Sequence, residues 1–124
     1  MARPNIVGIN TLVGITSTFQ LTGTSQVNVL QNPPNSNKVF KINTIQVTNC
    51  GTIDAYVSIG QSQAAGAATT TNFFVAHAGV ATGTSLIVVD KASSFYLEED
   101  RTITAQTSLA NQTQVIMSFE EVED

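Results

Sequence analysis

The chain has 124 residues, of which 42% are hydrophobic and only 11% charged, against about 25% charged in an ordinary soluble domain. The net charge is −4, and Arg3, Lys38, Lys41, Lys91 and Arg101 are scattered, so no basic stripe offers itself to phosphates and nucleic-acid binding is disfavoured. The length suits one domain, no apolar run could span a membrane as a helix, and the lone Cys50 excludes an internal disulfide.

In chain order, Met1 to Thr24 is irregular. Ile6, Ile9, Leu12, Val13, Ile15, Phe19 and Leu21 are apolar, with Gly8, Gly14 and Gly23 between them. This stretch reads as an added edge strand, or as an arm that pairs with a neighbouring subunit. The boundary is set there, with 1–24 as strand or arm and 25–124 as a β-sandwich domain. It lacks the apolar core of a signal peptide, which predicts synthesis in a reducing cytoplasm. A strand is expected over Gln26–Leu30. Gln31 to Asn37 follows as a loop, because Pro33 and Pro34 deny ladder hydrogen bonds.

Lys38–Thr48 is the strongest strand. Phe40 and Ile42 share one parity, Ile45 and Val47 the other, which predicts a β-bulge near Asn43-Thr44 or a strand covered on both faces. Asn49-Cys50-Gly51-Thr52 reads as a tight hairpin with Gly51 at positive φ. Ile53–Ile59 then alternates, with Ile53, Ala55, Val57 and Ile59 inward.

Gly60–Thr71, built of small and polar residues, is expected to be an exposed loop. Asn72–Ala78 is a strand, and Gly79–Gly83 a turn. Ser85–Asp90 is short and apolar, suiting a strand covered on both faces. Phe95–Leu97 is a short strand, and Glu98-Glu99-Asp100 an acidic turn. Arg101–Thr107 is a strand, Ser108–Gln112 a turn, and Thr113–Val122 a last strand. No stretch carries helical periodicity. Short strands at regular spacing predict an all-β, single-domain antiparallel β-sandwich of jelly-roll type.

No catalytic, cofactor-binding or metal-ligating residue is nominated. His77 shares parity with Phe73 and Val75 and lacks acidic neighbours, so a packed or hydrogen-bonded core histidine is preferred. Cys50 has no predicted helix N-terminus or cation to activate it and reads as a small buried or turn residue. Glu98, Glu99 and Asp100, and Glu120, Glu121, Glu123 and Asp124, read as solvated charge rather than a glycosidase pair or calcium loop. Tyr56, Phe74 and Tyr96 are the candidates for a sugar-stacking platform, weakened by the absence of tryptophan. Asn111-Gln112-Thr113 matches a glycosylation acceptor by chance. Gly60 to Gly66 lacks the Lys-Ser/Thr ending of a phosphate loop.

Three groups of motifs carry a resemblance. The first is Met1-Ala2-Arg3-Pro4-Asn5-Ile6-Val7-Gly8 with Lys38-Val39-Phe40-Lys41-Ile42-Asn43 leading to Val47-Thr48-Asn49. The second is Ser85-Leu86-Ile87-Val88-Val89-Asp90-Lys91 with Phe95-Tyr96-Leu97-Glu98-Glu99-Asp100. The third is Val115-Ile116-Met117-Ser118-Phe119-Glu120-Glu121. In this order they resemble small virion structural proteins of tailed bacteriophages, particularly those infecting cyanobacteria and marine bacteria.

The resemblance implies a non-enzymatic component of the virion, made in the host cytoplasm and bound to other virion proteins. Its partners would be the major capsid protein, for a head decoration (cement) protein, or neck, collar and tail proteins. It would assemble as a homo-oligomer, for instance a trimer, without nucleic acid, membrane or cofactor. The Met1–Thr24 arm and the Gly60–Thr71 loop are the expected contact segments, and deleting residues 1–20 is expected to leave a β-rich domain that no longer binds the particle. A receptor- or carbohydrate-binding β-sandwich and a carboxylate hydrolase are the rivals from other classes.

Overall fold

The computed structural model of the protein describes residues 11–64 and 67–123. Within them the chain forms β1 (Thr11–Leu21), β2 (Val27–Asn32), β3 (Lys38–Asn49), β4 (Ala55–Ala64), β5 (Ala67–Val80), β6 (Ser85–Val89), β7 (Phe95–Leu97), β8 (Arg101–Thr107) and β9 (Thr113–Glu123). A 3-10 turn over Lys91–Ser93 is capped by Asp90, whose carboxylate accepts from the Ser93 amide. One sheet runs β1-β9-β3-β6, with β7 also on β3, and the other runs β2-β8-β4-β5. Apart from β4–β5 and β6–β7, successive strands fall in opposite sheets. With every pairing antiparallel, this is the all-β sandwich of jelly-roll type that the strand spacing predicts.

The core lies between the inward faces of the two sheets. Ile42, Ile45, Val47, Val115, Met117 and Phe119 come from one side, and Val57, Ile59, Ile103 and Ala105 from the other. Phe40 and Phe119 meet at a centroid distance of 5.4 Å. The predicted bulge is present: Ile42 pairs with Phe119 and Thr44 with Ser118, leaving Asn43 over. That extra residue resets the alternation, so Phe40, Ile42, Ile45 and Val47 are all buried despite their mixed parity.

Several sequence expectations are corrected. Asn49–Thr52 is not a hairpin, because β3 and β4 belong to different sheets. Gly51 is not among the described residues of positive φ. A Cβ there would meet the end of the Gln112 side chain, which would have to move aside. Ile53 precedes the strand and is 59% exposed. The Gly60–Thr71 segment is not a loop: β4 and β5 continue through its described residues as a paired hairpin. Ladder hydrogen bonds there override the weak strand preference of Gly and Ala. β6 is an edge strand covered on one face, with Ile87 64% exposed.

Two buried asparagines hold the loops at opposite ends of β3. Asn32 donates from Nδ2 to the carbonyls of Lys38 (3.0 Å) and Leu97 (3.1 Å), and its Oδ1 accepts from the Ser36 hydroxyl (2.6 Å). Asn49 donates to the carbonyls of Ile53 (2.9 Å) and Val80 (3.0 Å) and accepts from the Gly51 amide (2.9 Å). Each replaces a missing backbone partner where the chain leaves the sheet.

Candidate assembly surface

The outward face of the β1-β9-β3-β6 sheet follows from register, because residues directly opposite one another share a face. Its rows read Gln20–Gln114–Thr48–Ser85, then Thr18–Ile116–Gln46–Ile87, then Thr16–Ser118–Thr44. Thr48 and Ser85 are joined through their hydroxyls at 3.0 Å. A further row contains Gly14, Glu120, Lys41 and Tyr96, in which the acid and the base lie directly opposite. Among the described residues this face is otherwise uncharged, rich in short hydroxyl and amide side chains, with Leu12 and Ile87 projecting into solvent. A cleft of about 330 Å³ lies between Thr18, Phe19, Gln20, Gln114 and Ile116.

The outward face of the other sheet is also free of charge among the described residues. It carries Thr102, Thr104 and Gln106 of β8 opposite Ser62, Gly60 and Ser58 of β4. Thr102, Thr104, Ser58 and Ser62 are nonetheless buried. Ser58 accepts a hydrogen bond from the His77 amide at 3.0 Å. Between Val57↔Ala78 and Ile59↔Val75, two residues of β5, Ala76 and His77, oppose Ser58 alone. His77 takes the extra position with φ +52°, a bulge geometry that turns its side chain away from the core. The core-histidine expectation is therefore wrong: His77 is exposed. A small cleft of about 80 Å³ lies among Tyr56, Ser58, His77, Gln106, Thr107 and Ser108.

The other candidate residues scatter. Cys50 is exposed in the crossover from β3 to β4, with its thiol free. Tyr56 and Tyr96 stand on outward faces of different sheets, while Phe74 packs on Phe95 at 4.9 Å where β5 meets β7, so no three-ring platform forms. Asn111 sits in the exposed turn before β9 with φ +62°. Among the described residues, no group of three or more His, Cys, Asp and Glu side chains is placed to hold a metal.

The acidic clusters behave differently from one another. Glu99, expected to be solvated, is 1% exposed, and neither of its carboxylate oxygens has a hydrogen-bond partner. The short turn after β7 directs this side chain inward rather than into solvent. Glu121 and Glu123 lie on either side of Lys38, with Nζ at 2.5 and 3.7 Å from their carboxylates. The hydrogen bond from Lys38 to Glu121, aided by that carboxylate's charge, raises the ammonium pKa above its usual 10.5.

Sequence reasoning missed the roles of Asn32 and Asn49, Glu99's burial and the length of the β4–β5 hairpin. Asn at a strand end was the available signal for the first. The others carry no periodicity that could have marked them.

The fold defines the protein as a jelly-roll β-sandwich. No protein-family model matches the chain, and a search of curated proteins finds no match. Several solved structures share the fold. One is from the Bacillus endospore appendages described as disulfide-linked pili, with 17% identity, a TM-score of 0.55, and 92% of this chain and 90% of that one covered. Another is from the acid-stable capsid of Helicobacter pylori bacteriophage KHP30, with 12% identity, a TM-score of 0.53, and 92% and 89% covered. A third is from the T13 particle of infectious bursal disease virus, with 10% identity and a TM-score of 0.51. There the chain covers 93% of its own length and 32% of the other.

Proposed function

We propose that the protein is a non-enzymatic structural component of a bacteriophage virion, decorating and stabilising the head. The observation that carries this reading is the broad outward face of the β1-β9-β3-β6 sheet, almost free of net charge, on a jelly-roll sandwich. A surface of hydroxyls, amides and scattered aliphatic groups does little to keep a free protein apart from its neighbours. It suits extended contact with other protein chains, where area and hydrogen bonds rather than ion pairs hold the partners. The fold shared with a phage capsid chain supports the same direction, as does the motif order seen in the sequence. A neck, collar or tail component uses the same surface chemistry and is the second reading.

Copy number separates the two. The protein is quantified by mass spectrometry in purified particles against the major capsid protein. On the order of hundreds of copies is the expected result, and about six to a dozen would assign it to a ring at the neck or tail. Its absence from particles would overturn the virion reading.

A further inference from the structure

The edges of the two sheets are not equivalent. An open strand edge is a template for another chain, and proteins ordinarily blunt it with shortness, bulges, prolines or charge. Among the described residues, four strands with an open side follow that rule. β6 has 5 residues and β7 has 3. β2 shifts register between Asn28 and Leu30, and Pro33-Pro34 follows it directly. β5 is broken by repeated register shifts and by His77 at positive φ.

β1 breaks the rule on every count. It has 11 residues, TLVGITSTFQL, without a charge or a proline. It pairs with β9 from end to end without a register shift. Among the described residues no strand lies on its other side.

We propose that β1 pairs, antiparallel and about a two-fold axis at Thr16, with β1 of a second copy of this chain, joining two sheets into one. The sequence of the strand is suited to itself in that register. Thr16 meets Thr16, Gly14 meets Thr18 and Leu12 meets Gln20 on the outward face. On the inward face Val13, which is 43% exposed in one chain, meets Phe19, a β-branched and aromatic cross-strand pair. Parity is kept throughout, so both inward faces continue across the junction.

Charge agrees with this direction through the one negative charge that Lys38 and Lys41 leave uncompensated. The acidic end of β9 lies beside the start of β1, with Glu120, Glu121 and Glu123 opposite Gly14, Val13 and Thr11. An antiparallel pair carries the two acidic ends to opposite ends of the joined sheet. A parallel pair would bring them together and is disfavoured. A two-fold contact of this kind is isologous and closed.

The test uses the purified full chain and does not depend on any particle, so its failure is distinct from failure of the virion reading. Sedimentation velocity is expected to show a dimer. Thr16 is exposed, so Thr16→Lys and Thr16→Glu are each expected to keep the β-sheet circular dichroism spectrum and to weaken dimerisation at least tenfold. Each places like charges face to face across the axis. An equimolar mixture of the two variants is expected to recover the dimer as a heterodimer. Ser85→Lys, at the opposite edge of the sheet, is expected to dimerise as the parent does. With Cys50→Ser in the background, Thr16→Cys is expected to cross-link on mild oxidation. A monomeric parent chain, unchanged association of both Thr16 charge variants, or no rescue in the mixture would overturn the proposal.

Discussion

At the scale of single residues, the fold depends on a few polar side chains that replace backbone partners. Asn49 is the clearest case, because it serves two carbonyls and one amide where the chain crosses between sheets. Asn49→Ala would strand the buried Val80 carbonyl and loosen the crossover. The expected loss of stability is roughly 2–4 kcal/mol, measured by chemical denaturation. Lys38 gives a pH-dependent signature. Its bond to Glu121 favours the ammonium and raises its pKa. The pair therefore stabilises the folded chain at pH values below the ordinary 10.5, and that contribution is lost as pH rises through the raised folded value. Lys38→Met is expected to lower the melting temperature slightly at neutral pH, because half-exposed pairs contribute little. The gap between variant and parent is expected to close in strongly alkaline buffer. Glu99 shows how a residue type misleads: three adjacent acids read as solvated, yet the middle one is buried by the turn that carries it.

At the scale of elements, periodicity worked where side chains were large. The bulge at Asn43 was legible because Phe40, Ile42, Ile45 and Val47 change parity across it. The β4–β5 hairpin was not legible, because Gly, Ala, Ser and Thr give no apolar alternation and only the partner strand makes them a strand. Ile87 reads as buried in its apolar run, and nothing in that run says that β6 lies at an edge. β1 is the element whose role changes most. The sequence allowed an arm for a neighbour, whereas the described part, Thr11–Leu21, pairs along its whole length within its own sheet. Leu21 is buried in the core, and Ile15 and Phe19 pack against it. Deleting residues 1–20 is therefore expected to destabilise the domain by roughly 3–6 kcal/mol. That is a large share of the stability of a domain this size. Circular dichroism and a denaturant midpoint on the truncated chain measure it directly.

At the scale of the whole molecule, the low charge density has its own consequence. Contacts made through the outward faces involve few ions and release few on forming. If the proposed virion role holds, association of the protein with particles is expected to change little between low and high ionic strength, as a binding assay across a salt series would show. A steep loss of binding with salt would mean that Lys38, Glu121, Glu123 and the acidic turn dominate the contact instead. The sequence by itself determined the all-β class, the bulged central strand, most strand positions and the near-neutral surface. Each of these follows from local chemistry: alternation, turn residues and composition. Only the tertiary structure decided which strands are neighbours, that Asn49–Thr52 crosses between sheets, that His77 faces solvent and Glu99 does not, and which edge is left open. These depend on pairings between residues far apart in the chain, and a strand's own residues do not encode what lies beside it.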